Sequence, residues 1–278
     1  MNHKNYSLYR YQIIPLNRSF QGDLYSYRTL DALIADKNKV FYNTVSNISN
    51  QLHLPSRWEI EYKIQEEDII SFDLIFIKSV RVRKKDGDYD YTPHFPRINL
   101  SFFNKEDQQI LAIENIPSIR NPDKLYQPIE SVINLILRKN HLICRISPIY
   151  ENREVSELLN FYEKNIQSIE FELITPNMAS ISRGVQDDIK ELAKSLNGVK
   201  TIIDVKADSE SSINTKSEHL WNLISYIRQG GGKLAIRVKN SKKKIQLLTK
   251  TKEVKLDFEN IRKEPTFNSS LIESFKDE

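Results

Sequence analysis

Hydrophobic residues recur along this chain with two different periods, and each period predicts one type of element. In the first half, segments rich in Ile, Val, Phe and Tyr alternate partly with polar residues, which is typical of strands. These segments read YSLYRYQIIPL, WEIEYKI, FDLIFIKSVRVRKK, RINLSFF and QQILAIENI. Two other segments have helical spacing. Their apolar residues are Leu30, Leu33 and Ile34 in the first segment, and Leu125, Ile129, Val132, Ile133 and Ile136 in the second.

The second half alternates strand-like and helical segments more regularly. The strand-like segments are HLICRI, IQSIEFELI, KTIIDVKA, KLAIRVKN, KKIQLLT and EVKLDF. The first helix is EVSELLNFYEK, the second carries Val185, Ile189, Leu192, Ala193 and Leu196, and the third carries Leu220, Leu223, Ile224 and Ile227. Thr215 and Glu218 are spaced as a capping box for the third helix, and Gly230 is placed to end it.

This order predicts an α+β fold with a β-rich N-terminal domain followed by a smaller α/β sandwich-like C-terminal domain. We place the N-terminal domain at residues 1–139, the C-terminal domain at residues 140–262, and a tail at residues 263–278.

Composition and motifs narrow the class of protein. The chain has 278 residues, 39% of them hydrophobic, and its one cysteine, Cys144, lies in an apolar run and is expected to be a buried thiol. No signal-peptide pattern opens the chain, and no apolar stretch approaches the roughly 20 residues that cross a bilayer. We therefore expect a cytoplasmic protein without a membrane partner. Its five histidines are scattered, so we predict neither a metal nor a cofactor.

Positive charge is concentrated between Arg228 and Leu256. Ten Lys or Arg face a single Glu there, whereas the whole chain has an excess of only four basic residues. A strand that alternates these charges with apolar residues presents a basic face, which suits a polyanion. The preference for lysine favours contacts with phosphates over reading of bases. The predicted phosphate-binding residues are Lys233, Arg237, Lys239, Lys242, Lys243 and Lys244.

Three consecutive glycines, Gly230 to Gly232, precede this strip. They follow a helix and precede a strand, which is the reverse of a phosphate-binding P-loop. Gly230 is expected to stop the helix in a left-handed conformation. Gly231 and Gly232 are either a flexible loop or a place where the backbone of a nucleic acid can approach closely.

A second basic strip lies in KSVRVRKKDGDYDY, where Arg81 and Arg83 share one face of a strand. The Asp86-Gly87 pair predicts a hairpin turn after it. Tyr89 and Tyr91 follow this turn and could stack on bases. Three aspartates of the same segment are expected to offset the positive field.

Enzyme chemistry is not evident, and we predict no catalytic residues. A metal-dependent nuclease stays open as an alternative, because an acid-x-lysine pattern occurs at Glu61-x-Lys63 and at Asp204-x-Lys206, with Asp187 and Asp188 upstream of the latter. In a further alternative, the lysines only keep an edge strand soluble in a protein-interaction subunit.

Three segments, YRYQIIPLN, LAIENI and LISYIRQGGGKLAIRVKN, carry a resemblance over most of the chain. In this layout the chain resembles the RexA-like family of phage-exclusion proteins and bacterial proteins associated with phage defence. The resemblance implies a two-domain DNA-binding protein, with DNA favoured over RNA. It also implies a dimer or a partner defence protein, and it transfers no catalytic residue.

Overall fold

The structure is a computed structural model in which a defined set of residues is described. These are residues 4–16, 27, 29–48, 58–66, 69–76, 78–85, 87–105, 108–117, 119, 123–151, 153–174, 196, 198, 200–208, 210–241, 243–247 and 250–256. The predicted helix over Val185–Leu196, apart from Leu196 itself, and the predicted tail lie outside them.

Two compact units divide the chain. The N-terminal unit is Tyr9–Ile146, and the C-terminal unit combines Met1–Leu8 with Ser147–Glu278. The predicted boundary after residue 139 thus differs from the division after Ile146, because strand HLICRI pairs with the opening strand of the chain.

The N-terminal unit contains most of one large sheet and a separate two-stranded hairpin. The strands are β1 (Lys4–Pro15), β2 (Trp58–Glu66), β3 (Ile69–Phe76), β4 (Lys78–Arg83), β5 (Tyr89–His94), β6 (Arg97–Lys105), β7 (Gln108–Glu114) and β8 (Leu142–Pro148), and the helices are α1 (Leu30–Ser46) and α2 (Asp123–Leu137). Residues 4–8 of β1 and residues 147–148 of β8 belong to the C-terminal unit. The strand order is β1-β7-β6-β3-β2, and β8 pairs with β1. Among the described strands, β4 and β5 pair only with each other, as a separate hairpin.

Aromatic side chains form the centre of this unit's core. Phe102 is fully buried. The centroid of its ring lies 5.6 Å from the ring centroids of Tyr11 and Phe41 and 6.1 Å from that of Phe72. The predicted apolar stripe of α2 packs against the same cluster, as do Leu33, Phe41 and Val45 of α1. The sheet and both helices therefore share one core. Burying each aromatic ring of this size stabilises the folded state by roughly 1.5–3 kcal/mol.

The C-terminal unit has a four-stranded antiparallel sheet. Its elements are α3 (Arg153–Tyr162), β9 (Ile166–Ile174), β10 (Lys200–Lys206), α4 (Glu218–Tyr226), β11 (Gly232–Val238), β12 (Lys244–Gln246) and β13 (Glu253–Leu256). The sheet order is β10-β9-β11-β12. Apolar residues of β9 and β11 pack against those of α3 and α4 in a second core. The predicted α+β fold, dominated by sheet, is confirmed.

Two local predictions for this half are wrong, those for HLICRI and for the capping box. HLICRI joins β1 instead of opening the second sheet, because Leu142, Cys144 and Ile146 belong to the core of the N-terminal unit. The strand predicted at EVKLDF is present as β13, and it pairs with Lys4–Ser7. The capping box at Thr215 is absent, since α4 begins after Ser217 without a side-chain cap and the carbonyl of Thr215 accepts a hydrogen bond from Trp221 instead.

Candidate nucleic-acid interface

Strand β11 presents Lys233 and Arg237 to solvent because its sequence alternates apolar and polar residues. Leu234 and Ile236 are each 1% exposed and lie in the core of the C-terminal unit. Successive side chains of a strand point to opposite faces, so Lys233 and Arg237 lie on the other face, where both are exposed. The predicted alternation is confirmed at these four positions.

Lys244 extends this face onto the edge strand. In the β11–β12 register, Lys244 lies directly opposite Arg237, and directly opposite residues share a face of the sheet. Lys233, Arg237 and Lys244 therefore lie on one exposed face, which we call the sheet face.

The other predicted lysines are not part of the sheet face. The register of β11 shifts between Arg237 and Val238, so Lys239 lies beyond the strand, half-buried in a turn. Its backbone N–H donates to the carbonyl of Asn165 over 2.8 Å. Lys243 is exposed in the turn before β12, and Lys242 lies outside the described residues.

Strands β9 and β10 add residues to the sheet face that the sequence analysis did not include. Across the two pairings, Glu172 lies opposite Lys233, and Glu170 lies opposite Asp204. The lysines that β10 contributes are Lys200 and Lys206. The face thus carries five basic and three acidic side chains within the described residues. The alternation in IQSIEFELI predicts that both glutamates point away from the core, but it does not predict which strand lies beside them.

Ion pairs neutralise part of this positive charge. Lys200 pairs with Glu172 over 2.9 Å, Lys206 pairs with Asp204 over 3.3 Å, and Lys244 pairs with Glu170. No described residue forms an ion pair with Lys233 or Arg237. These two cations are therefore the ones most available to an incoming phosphate.

A concavity of about 270 Å³ lies at one end of the sheet face. Side chains of both charges line it, among them Arg237, Lys244, Lys206, Glu170 and Asp204. Basic groups held around a concavity can contact several oxygens of one phosphate group. The acids beside them lower the positive potential, so this site differs from the purely basic strip that the sequence predicted.

The glycines lie inside the fold, which corrects one predicted role. Gly230 has φ +83° and ends the helical segment, as predicted. Gly231 and Gly232 are buried. A Cβ on Gly231 would lie 2.3 Å from the ring of Tyr226, and one on Gly232 would lie 1.8 Å from the carbonyl oxygen of Glu172. Close packing within the protein, not approach of a nucleic acid, requires glycine at these two positions.

Arg81 and Arg83 lie on the hairpin of β4 and β5. The register places Arg81 opposite Tyr91 and Arg83 opposite Tyr89, so all four side chains share one face. Gly87 has φ +95° in the connecting turn, and the backbone N–H of Lys84 donates to the carbonyl of Asp88. The predicted hairpin is confirmed.

The acid-x-lysine pattern at Glu61 and Lys63 is a charge-compensated network. Glu61 pairs with Lys63 over 2.6 Å and with Arg97 over 2.9 Å. Asp73 lies opposite Glu61 and accepts a hydrogen bond from Asn99 over 3.0 Å. The hydrogen bond from Lys63, with the charge of Arg97, lowers the pKa of Glu61. Two cations already neutralise this carboxylate, which explains the pair as part of the sheet's own charge network.

Cys144 and the possible metal ligands are the other reactive groups of interest. Cys144 is buried, and burial raises the pKa of its thiol well above the ordinary value, which keeps it protonated. Among the described residues, no group of three or more His, Cys, Asp or Glu side chains is placed to hold a metal ion.

Comparison of the chain with protein-family models and with curated proteins gives no match. Within the described residues, no helix combines the length and apolar character that a membrane crossing needs.

Proposed function

We propose that this protein binds nucleic acid, DNA in preference to RNA, through phosphate contacts made by the sheet face. The observation that carries this proposal is the placement of Lys233, Arg237 and Lys244 on one exposed surface from two adjacent strands. Several cations on one exposed face can contact more than one phosphate of a nucleic acid, and such contacts do not depend on base sequence.

The resemblance to the RexA-like family suggests a cellular role for this binding. It favours a cytoplasmic DNA-binding protein of bacterial defence against phage, acting as a homo-oligomer or with a partner defence protein. The surplus of positive over negative charge on the sheet face is small, which favours moderate, salt-sensitive affinity over tight binding.

A salt titration with a fluorescent DNA duplex tests the proposal. In the double variant Lys233→Ala/Arg237→Ala we expect weaker binding at every salt concentration. The slope of log affinity against log salt should fall by roughly two, since each phosphate contact contributes about 0.9.

The matched control is Arg138→Ala/Lys139→Ala, which also removes one exposed arginine and one exposed lysine. It should leave the slope unchanged. A wild-type protein that does not bind the duplex at low salt contradicts the proposal, as does an equal loss in the control variant.

One observation favours a metal-dependent nuclease as the second candidate. Asp204 lies directly opposite Glu170, and both line the concavity together with Lys206. Two carboxylates beside a lysine can hold Mg²⁺ against a scissile phosphate. In the structure, Lys206 and Lys244 pair with these carboxylates, so a metal ion would have to displace them.

Incubation of a supercoiled plasmid with Mg²⁺ separates the two candidates. A nuclease requires cleavage that is lost in Asp204→Asn and kept in Glu61→Gln. Binding without cleavage leaves the phosphate-contact function alone.

A further inference from the structure

The hairpin of β4 and β5 carries a surface that the phosphate-binding function does not use. Because cross-strand partners share a face, one side of this hairpin combines two arginines with two tyrosines. We call this surface the arm face; its residues are Arg81, Arg83, Tyr89 and Tyr91. The two strands pair with no other strand in the part of the chain that the structure describes, and Tyr89 and Tyr91 are 48% and 66% exposed.

The two rings differ in what covers them. The guanidinium carbon of Arg81 lies 3.5 Å from the ring centroid of Tyr89, so one side of that ring is already stacked. Among the described residues, no ring stacks on Tyr91, and its hydroxyl makes no hydrogen bond. Tyr91 therefore offers an open aromatic surface next to a cation.

Asp90 is separated from the arm face by the alternation of side chains along strand β5. Asp90 lies opposite Val82, on the other side of the hairpin. There it pairs with Lys84 over 3.5 Å. The strand residues of the arm face therefore carry positive charge only.

We propose that the arm face binds single-stranded nucleic acid. An unpaired base stacks on Tyr91, and Arg81 and Arg83 contact the phosphates on either side of that base. Every base has an aromatic face, so such stacking tolerates any sequence, and arginines next to aromatic rings are a recurrent pairing in single-strand binding.

The exposed rings favour a single strand over a duplex. In a duplex the base faces are covered by their neighbours, and only base edges are presented in the grooves. A tyrosine ring can stack on a base only where that base is unpaired. This inference concerns a different surface from the sheet face and does not depend on the function proposed for it.

The experiment compares two labelled single strands of about 15 nucleotides. One is an oligothymidine, and the other has the same phosphates with abasic sites in place of bases. We expect the wild type to bind the oligothymidine about tenfold more tightly than the abasic strand. Tyr91→Ala should lose this difference by weakening only the oligothymidine complex.

Two further variants separate stacking from a disturbed hairpin. Tyr91→Phe keeps the ring and should bind like the wild type. Val82→Ala alters an exposed residue on the opposite side of the hairpin and should also bind like the wild type. If Tyr91→Ala binds both strands as the wild type does, or if Val82→Ala weakens binding equally, the inference is wrong.

The duplex distinguishes this inference from the proposed function. If duplex binding needs Lys233 and Arg237 while Tyr91→Ala leaves oligothymidine binding unchanged, only the inference about the arm face is overturned. If oligothymidine binding needs Tyr91 and the protein does not bind the duplex, the inference about the arm face is supported and the function proposed for the sheet face is overturned. If Tyr91→Ala weakens binding of the duplex and of the oligothymidine equally, the preference for a single strand is overturned.

Discussion

Glu170 forms an ion pair with Lys244 across the sheet face, although the two residues lie 74 positions apart in the chain. This pair neutralises one of the three cations that the sequence predicted there. A phosphate that approaches Lys244 must compete with the carboxylate of Glu170, which also lies directly opposite Asp204.

We therefore predict that Glu170→Gln strengthens duplex binding. Releasing Lys244 adds about one phosphate contact, so affinity at low salt should rise roughly two- to fivefold and the salt slope should steepen by about 0.9. Fluorescence anisotropy measures both quantities. Unchanged affinity would mean that Lys244 takes no part in binding, whereas loss of Mg²⁺-dependent cleavage in this variant would favour the nuclease alternative.

Gly232 is expected to be intolerant of any side chain. Its φ is +153°, and an added Cβ would meet the carbonyl oxygen of Glu172 at 1.8 Å, so the β9–β11 pairing would have to shift. We predict that Gly232→Ala lowers the free energy of unfolding by about 2–4 kcal/mol. Urea denaturation followed by circular dichroism measures the loss.

Gly87→Ala provides the comparison for that measurement. Gly87 also has a positive φ, at +95°, but nothing lies within 4 Å of an added Cβ. Only the backbone strain of about 1–2 kcal/mol applies there. Equal losses in the two variants would show that contact with Glu172 is not what requires glycine at position 232.

The aromatic core of the N-terminal unit predicts a large effect at Phe102. Removing its ring leaves a cavity among Tyr11, Phe41 and Phe72. Phe102→Ala should lower the free energy of unfolding by about 3–5 kcal/mol. Phe161→Ala, at a ring that is 77% exposed, should change it by less than about 0.5 kcal/mol. Thermal and urea denaturation measure both variants.

Glu61 predicts a pH dependence of stability. Its pKa is lowered in the folded protein, first by the hydrogen bond from Lys63 and then by the charge of Arg97. A carboxylate whose pKa is lowered by folding stabilises the folded state at any pH above its unfolded-state pKa of about 4.3. This contribution disappears as the pH falls through the folded-state pKa. Glu61→Gln should therefore be less stable than the wild type at pH 7, and the difference should close in acid.

Urea titrations at neutral and acidic pH test this sign. Glu59→Gln removes an exposed carboxylate of the same strand that forms no ion pair with a described residue, so it should show no such closing difference. A Glu61→Gln deficit that persists unchanged in acid would contradict the charge-based explanation.

The faces of individual strands follow from local sequence. The alternation in KLAIRVKN predicts which side chains of β11 leave the core, and Lys233 and Arg237 lie where it places them. The same period separates Asp90 from Tyr91 on the hairpin, because neighbouring residues of a strand point to opposite sides. A turn of few residues also defines the register of β4 and β5, so the arm face is a local property.

Strand neighbours are decided over long distances in the chain. Glu170 and Glu172 belong to a segment about 60 positions before Lys233, and only the β9–β11 pairing brings them onto the same face. The net charge of that face is a sum over neighbouring strands, so a count along one segment overestimates it. The strand HLICRI shows the same limit, since its apolar residues fit either sheet.

The sequence by itself determined the α+β class, the outward direction of the basic residues on β11 and the hairpin that carries Arg81 and Arg83. Only the tertiary structure decided that acids lie beside those lysines and that Gly231 and Gly232 are buried. The physical reason is range: side-chain alternation and turn geometry act within a few residues, whereas charge balance and close packing depend on which distant segments meet.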